Sequence, residues 1–146
     1  MSYPEDDHLI LVGKAMWAWS RLEWGMVYMA MEEQDPAKQS AALAEIATKT
    51  GGGVVKALLA SNAVSLPADL SADITGLVNR RNDLAHSRPA SLVEVQDRLV
   101  AVEDYLQRLY RWDPQRGIKP EFLTDDWLRE FIADCESVSR ELQKCN

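Results

Sequence analysis

Hydrophobic residues recur every three to four positions along most of the chain, which is the spacing that places them on one face of an α-helix. The clearest stretch covers residues 9–31. Its predicted buried face is wide, with one stripe of Leu9, Val12, Met16, Trp19, Met26 and Ala30 and a second of Ile10, Gly13, Trp17, Trp24, Val27 and Met31. The side predicted to face solvent carries Lys14, Ala18, Arg21, Gly25, Tyr28 and Glu32.

The rest of the chain predicts further helices. They run from Asp35-Pro36 to Thr50, Val54 to Ala60, Pro67 to Ser87, Leu92 to Leu109 and Thr124 to Leu142. The glycine run at 51–53 is predicted to interrupt helical structure. Residues Ser91 to Glu94 match the capping box of the next helix. Because no segment shows the sustained alternation of a strand, the sequence predicts an all-α, up-and-down helical bundle of four to six helices in one domain, residues 1–146.

Composition and charge narrow the possible functions. A length of 146 residues, with 47% hydrophobic and 27% charged residues, suits one ordinary globular core. The net charge of −7 argues against a broad nucleic-acid-binding surface, so any contact with RNA would be local. The acidic beginning of the chain and its interrupted apolar segments predict a cytoplasmic protein without an export signal or membrane span.

Two cysteines lie on the last predicted helix. Cys135 and Cys145 are ten residues apart, so a straight helix separates them by about 15 Å and no disulfide joins them. No short-spaced Cys/His set for zinc accompanies them. We therefore predict a buried, reduced thiol for Cys135, no chemistry for either cysteine, and no metal or other cofactor.

Two charged residues interrupt the predicted core stripes. Glu23 lies in the stripe of Met16 and Trp19, and Arg81 lies in the stripe of Leu70, Ile74, Leu77 and Leu84. Burying a charge without a partner costs several kcal/mol, so each is expected to meet a counter-charge or a cleft. The simplest hypothesis is that they face each other. Such a pair is compatible with a structural salt bridge as well as with a functional site.

The neighbourhood of Arg81 favours the functional interpretation. Residues 80–88 contain three arginines and one of the two histidines of an otherwise acidic chain. On a helix Asn82 and His86 project about 40° from each other, whereas Arg81 and His86 diverge by about 140°. Because Pro89 stops the helix, fraying of its last turn would let Arg81 and His86 flank a phosphate. A histidine in that turn is also a common partner of the helix dipole, and the sequence leaves both interpretations open.

The run Arg81-Asn82-Asp83-Leu84-Ala85-His86 resembles the R-x4-6-H signature of the HEPN superfamily, and the first helix around Glu23 is similar to the acid-bearing first helix of several HEPN families. The resemblance implies a four- or five-helix bundle that forms a homodimer, with the two motifs meeting in one composite cleft. In catalytic members that cleft cuts RNA without a metal.

The resemblance also implies roles for individual residues. His86 would be the general acid or base, Arg81 would bind the phosphate, and Asn82 would orient the reacting groups. Glu23 would position Arg81 or His86. Arg80 and Arg88 would contact the RNA backbone. The chain departs from the toxin subgroup that carries a tyrosine two residues after the histidine, because Arg88 occupies that position.

Three functional hypotheses follow. The first is a metal-independent endoribonuclease of a defence or toxin type, with an antitoxin as a possible partner. The second is a non-catalytic dimeric module that binds a partner protein or a nucleotide. The third is a purely structural role for the Glu23–Arg81 bridge, with His86 as a helix cap.

Four tryptophans are further candidates for RNA contact, because aromatic rings can stack on nucleic-acid bases. Trp17 and Trp24 are predicted to pack in the core or in a dimer contact rather than to stack. Trp112 and Trp127 flank the connection before the last helix, and the sequence does not decide their role.

Overall fold

A computed structural model describes residues 6–89, 92–95, 98–101, 109–113, 115 and 117–145. Its helices are α1 (Asp6–Ala30), α2 (Pro36–Ala47), α3 (Gly51–Ala60), α4 (Ala68–Ala85) and α5 (Asp125–Gln143). Its strands are β1 (Arg88–Pro89), β2 (Leu92–Val95), β3 (Arg98–Ala101), β4 (Leu109–Asp113) and β5 (Ile118–Phe122).

The helices form a bundle around one core. Helix α1 packs against α2, α3 and α5, and α4 packs against α3 and α5. Fully buried apolar side chains from four of these helices fill the interior, among them Leu22, Met26, Leu58, Ile74, Leu77, Leu128 and Phe131. This bundle is all-α, as the sequence predicts. Within the described part of the chain, no helix combines the length and apolar composition needed to cross a bilayer.

Side-chain caps fix where several helices begin. The Asp35 carboxylate accepts a hydrogen bond from Ala37 N at 3.0 Å, and the Thr124 hydroxyl accepts one from Trp127 N at 3.1 Å. The Thr50 hydroxyl accepts one from Gly53 N at 3.3 Å. The prediction that residues 51–53 interrupt helical structure is therefore wrong, because α3 begins at Gly51, directly after this cap.

The buried face of α1 is rotated relative to the prediction. Trp19, Met26, Val27 and Ala30 are buried as expected, but the unpredicted Ala15 and Leu22 are buried with them. Leu9, Ile10, Met16, Trp17 and Trp24, all predicted to be buried, are 39–69% exposed. Because α1 is apolar around most of its circumference, periodicity alone did not determine which side meets α3 and α5.

The chain between α4 and α5 differs most from the prediction. The helix predicted over residues 92–109 is wrong, since β2 and β3 pair antiparallel from Leu92 opposite Ala101 to Val95 opposite Arg98. Strands β1, β4 and β5 form a separate antiparallel sheet with β4 in the centre. Valines at alternate positions suit a strand, but the spacing of the apolar residues in this segment also suits a helix. The antiparallel pairing of β2 with β3 therefore determines that the segment is extended and not helical. The capping box predicted at Ser91 lies outside the described residues.

Candidate functional site

The candidate site lies at the C-terminal end of α4. Arg81 continues the buried stripe of Leu70, Ile74 and Leu77, as the spacing predicts, and its side chain is partly buried. Its Nη1 donates a hydrogen bond to Asn82 Oδ1 at 3.2 Å. Its Nε is buried and has no hydrogen-bond partner in the described structure. A guanidinium carries five N–H donors, and the bond to Asn82 uses one of them.

His86 lies where α4 ends. The helix stops at Ala85, and His86 is the C-cap residue with φ −99° and ψ 2°, so it no longer follows the helical path. Its backbone N–H donates to Asn82 O at 3.0 Å, and its side chain is exposed. Asn82 therefore accepts from Arg81 through its side chain and from the His86 backbone through the last helical hydrogen bond, which fixes the backbone of His86 but not its imidazole.

Glu23 occupies a different environment from the one predicted. Its Oε2 accepts a hydrogen bond from Trp19 Nε1 at 3.1 Å. A Cβ placed on Gly51 would lie 3.6 Å from the same oxygen, which puts the carboxylate beside the first residue of α3. The partial positive charge of a helix N-terminus favours a carboxylate there. No ion pair within 4.0 Å joins Glu23 to Arg81 among the described residues, so the direct bridge expected between them is not formed.

Glu23 nevertheless lies in the same region as the motif. The Cβ placed on Gly51 would also lie 4.0 Å from Val78 Cγ1, and Val78 precedes Arg81 on α4 by one turn. The structure thus brings Glu23 to the side of α4 that carries Arg81.

The other two arginines of the motif region are placed differently. Arg80 Nη1 lies 2.8 Å from Asp134 Oδ2, and its guanidinium stacks over the Phe131 ring with 5.8 Å to the centroid. Arg80 therefore ties α4 to α5, and a phosphate would have to compete with Asp134 for it. Arg88 opens β1 opposite Tyr110, and its side chain lies outside the described part of the structure.

Two polar residues that the sequence reasoning missed are buried. His8 is 1% exposed, and its Nδ1 lies 2.7 Å from Asp125 Oδ1, which links the beginnings of α1 and α5. Its spacing to Ala15 and Leu22 on α1 is the signal that would have found it. Asp83, within the motif itself, is 6% exposed although the helical spacing of α4 places it away from the core stripe.

The cysteines and the last helix agree with the sequence reasoning. Cys135 is buried and Cys145 is partly buried, and both are free thiols. Burial raises the pKa of Cys135 to about 12, which keeps this thiol protonated at neutral pH. Trp127 packs parallel to Phe131 with 5.6 Å between ring centroids, so this tryptophan belongs to the bundle. The side chain of Trp112 lies outside the described part of the structure, which covers only the backbone at this position of β4.

Known proteins offer no template for this geometry. No family model, no curated protein and no solved structure matches the chain. Among the described residues, no group of three or more His, Cys, Asp or Glu side chains is placed to hold a metal ion.

Proposed function

We propose that this protein is a metal-independent endoribonuclease of the HEPN type, with a defence or toxin-like role in the cytoplasm. The observation that carries the proposal is the state of Arg81, a partly buried guanidinium that makes one hydrogen bond, to Asn82, and no ion pair with any described residue. One turn later His86 presents an exposed imidazole. A guanidinium with unused N–H donors and an imidazole at the same end of a helix are two groups that phosphoryl chemistry on RNA uses.

The proposed reaction uses the RNA as its own nucleophile. The 2′-oxygen attacks the adjacent phosphorus while the bond from phosphorus to the 5′-oxygen breaks, giving a 2′,3′-cyclic phosphate and a 5′-hydroxyl. One imidazole takes the proton from the 2′-hydroxyl, and an acid returns a proton to the 5′-oxygen. Arg81 stabilises the negative charge that develops at phosphorus, and Asn82 holds Arg81 in place. Glu23 acts through Trp19 and the head of α3 as a supporting residue.

The proposal includes a homodimer. One chain supplies one His86, whereas the reaction needs both a base and an acid. Two copies whose α4 ends meet in a composite cleft would supply two imidazoles and two guanidinium groups. An antitoxin that covers this cleft is the protein partner that a toxin-like role implies.

The experiment is incubation of the purified protein with a mixed cellular RNA pool in EDTA, followed by analysis of the product ends. We expect the wild type to produce 2′,3′-cyclic phosphates and the Arg81→Ala and His86→Ala variants to produce none. Arg129→Ala is the matched control, because it also removes an arginine but from the exposed surface of α5. Cleavage that survives His86→Ala in a folded protein contradicts the proposed mechanism.

The composite cleft is tested separately by mixing. Wild-type chains, unfolded and refolded with an excess of His86→Ala chains, form mixed dimers that hold one His86 each. We expect cleavage to fall below the value that dilution of the wild type alone would give, because the reaction needs an imidazole from each copy. A wild type that cleaves RNA as a monomer in sedimentation equilibrium rules out the shared cleft.

A second candidate function is a non-catalytic dimeric module that binds a protein or a nucleotide. The observation that favours it is the Arg80–Asp134 pair, which makes the positive region around the motif smaller than the sequence indicates. This function predicts that the folded wild-type protein leaves RNA intact and binds one ligand tightly, and that Arg81→Ala abolishes this binding.

A further inference from the structure

The exposed face of α1 differs in charge from the rest of this acidic protein. Eleven residues between Leu9 and Tyr28 are exposed, and none of them is acidic. Two are the cations Lys14 and Arg21. Three are aromatic, with Trp17 69%, Trp24 50% and Tyr28 52% exposed. Large aromatic side chains left this open on a helix call for a ligand or partner.

The cations and aromatics alternate along one line of the helix. Lys14, Trp17, Arg21, Trp24 and Tyr28 are separated by three, four, three and four residues, so they share one face over about 21 Å. The Trp24 and Tyr28 rings touch edge to face with centroids 5.4 Å apart. The result is a line of flat rings with positive charges between them.

A groove runs beside this line, between α1 and α5. Its volume is about 740 Å³, within the range of small-molecule sites, and a smaller groove of about 240 Å³ continues it past Arg21. Lys14, Trp17 and Arg21 line one wall, and Arg140 and Glu136 line the other. None of the three cations forms an ion pair with a described residue. Arg81, Asn82 and His86 do not line this groove.

We propose that the α1–α5 groove binds single-stranded RNA, with bases stacked on Trp17 in the groove and on Trp24 beside it and phosphates held by Lys14, Arg21 and Arg140. Single-strand sites combine a positive groove that follows the backbone with aromatic rings on which bases stack, and this face supplies both at alternating positions. An acidic peptide would use the cations but leave the exposed indoles unexplained. The choice of RNA as ligand rests on the proposed function, but the groove residues are separate from the cleavage residues.

Binding is measured by fluorescence anisotropy of a labelled twelve-nucleotide oligoadenylate, in EDTA, with every protein in the non-cleaving His86→Ala background. We expect Trp17→Ala to weaken binding about tenfold, as loss of one stacked base does. Lys14→Ala/Arg21→Ala should flatten the slope of log K against log salt by about 1.4, the value for two phosphate contacts to a single strand.

Charge position is tested with a matched pair of variants. Lys14→Glu/Arg21→Glu should abolish binding, whereas Lys38→Glu/Lys49→Glu, which changes the net charge equally at exposed positions outside the groove, should leave it unchanged. Equal losses in both double variants overturn the proposal, because binding would then follow net charge alone. Failure of the His86→Ala protein to bind the oligonucleotide also overturns the proposal. The exposed face of α1 would then have another occupant: a membrane, if the protein sediments with anionic vesicles, or a second copy of the chain, if it forms a dimer that Trp17→Ala breaks.

The outcomes separate this inference from the proposed nuclease. Oligonucleotide binding that depends on the groove, with a wild type that never cleaves RNA, removes the nuclease and keeps the groove. Cleavage by the wild type that is unaffected by Trp17→Ala, together with unaltered binding, removes the groove and keeps the nuclease.

Discussion

Two neighbouring glycines at the N-terminal end of α3, Gly51 and Gly52, should respond to replacement by alanine with opposite changes in stability. A Cβ placed on Gly51 would lie 3.3 Å from Trp19 Cζ2, whereas a Cβ on Gly52 would meet nothing within 4 Å. Replacing a helical glycine by alanine stabilises a protein by about 0.5–1 kcal/mol when space allows, because the unfolded chain loses freedom. We expect Gly52→Ala to show this gain.

Gly51→Ala should lose stability instead. The Trp19 ring is 2% exposed and is held by its 3.1 Å hydrogen bond to Glu23, so it cannot easily move away from the new methyl group. Overpacking a core of this kind costs about 1–3 kcal/mol, which outweighs the backbone gain. The two variants should therefore differ by about 2 kcal/mol in the free energy of unfolding.

Urea denaturation followed by circular dichroism measures this difference. With a slope of about 2 kcal/mol per molar urea, the midpoints of the two variants should lie about 1 M apart, on either side of the wild type. In a Trp19→Phe background the smaller ring relieves the contact, so Gly51→Ala should cost less there. Equal stabilisation by Gly51→Ala and Gly52→Ala would refute the close approach of α3 to Trp19.

Three further predictions test contacts around the bundle. His8→Ala removes the buried hydrogen bond between α1 and α5 and should lower the free energy of unfolding by about 2–3 kcal/mol in the same urea assay. Asp134→Ala breaks a half-exposed pair with Arg80, so it should cost at most about 1 kcal/mol in the same assay. At pH 8 a thiol reagent should label only Cys145 in the native protein and also Cys135 in urea, because burial raises the pKa of Cys135 from 9.0 to about 12.

Each of these has a contrary result. A His8→Ala protein as stable as the wild type would show that the α1–α5 hydrogen bond contributes nothing net. A loss well above about 1 kcal/mol in Asp134→Ala would mean that the Arg80–Asp134 pair stabilises the packing of α4 on α5 more than a half-exposed pair should. For Cys135 the raised folded-state pKa means that its stabilising effect is fully present below about pH 9 and is lost as pH rises towards 12. Rapid labelling of Cys135 at pH 8 in the native state would contradict its burial.

Sequence patterns located much of the candidate site but not its contacts. Spacing placed Arg81 on the core side of α4, and Pro89 indicated that the helix ends near His86, as it does at Ala85. The partner of Glu23 was not predictable in this way. Its carboxylate meets Trp19 and the head of α3, and the approach of α3 to α1 depends on a glycine at position 51 that the sequence alone presents only as a helix breaker.

The sequence by itself determined that this chain builds a helical bundle, because a hydrophobic period near 3.6 can be buried only by helices packed on their apolar faces. It also determined the beginning of α5, since the Thr124 cap is a local interaction. Tertiary structure alone decided which side of α1 is buried and that residues 92–101 pair as strands. Both choices depend on contacts between segments distant in sequence, and a pattern that fits two local arrangements equally well does not specify those contacts.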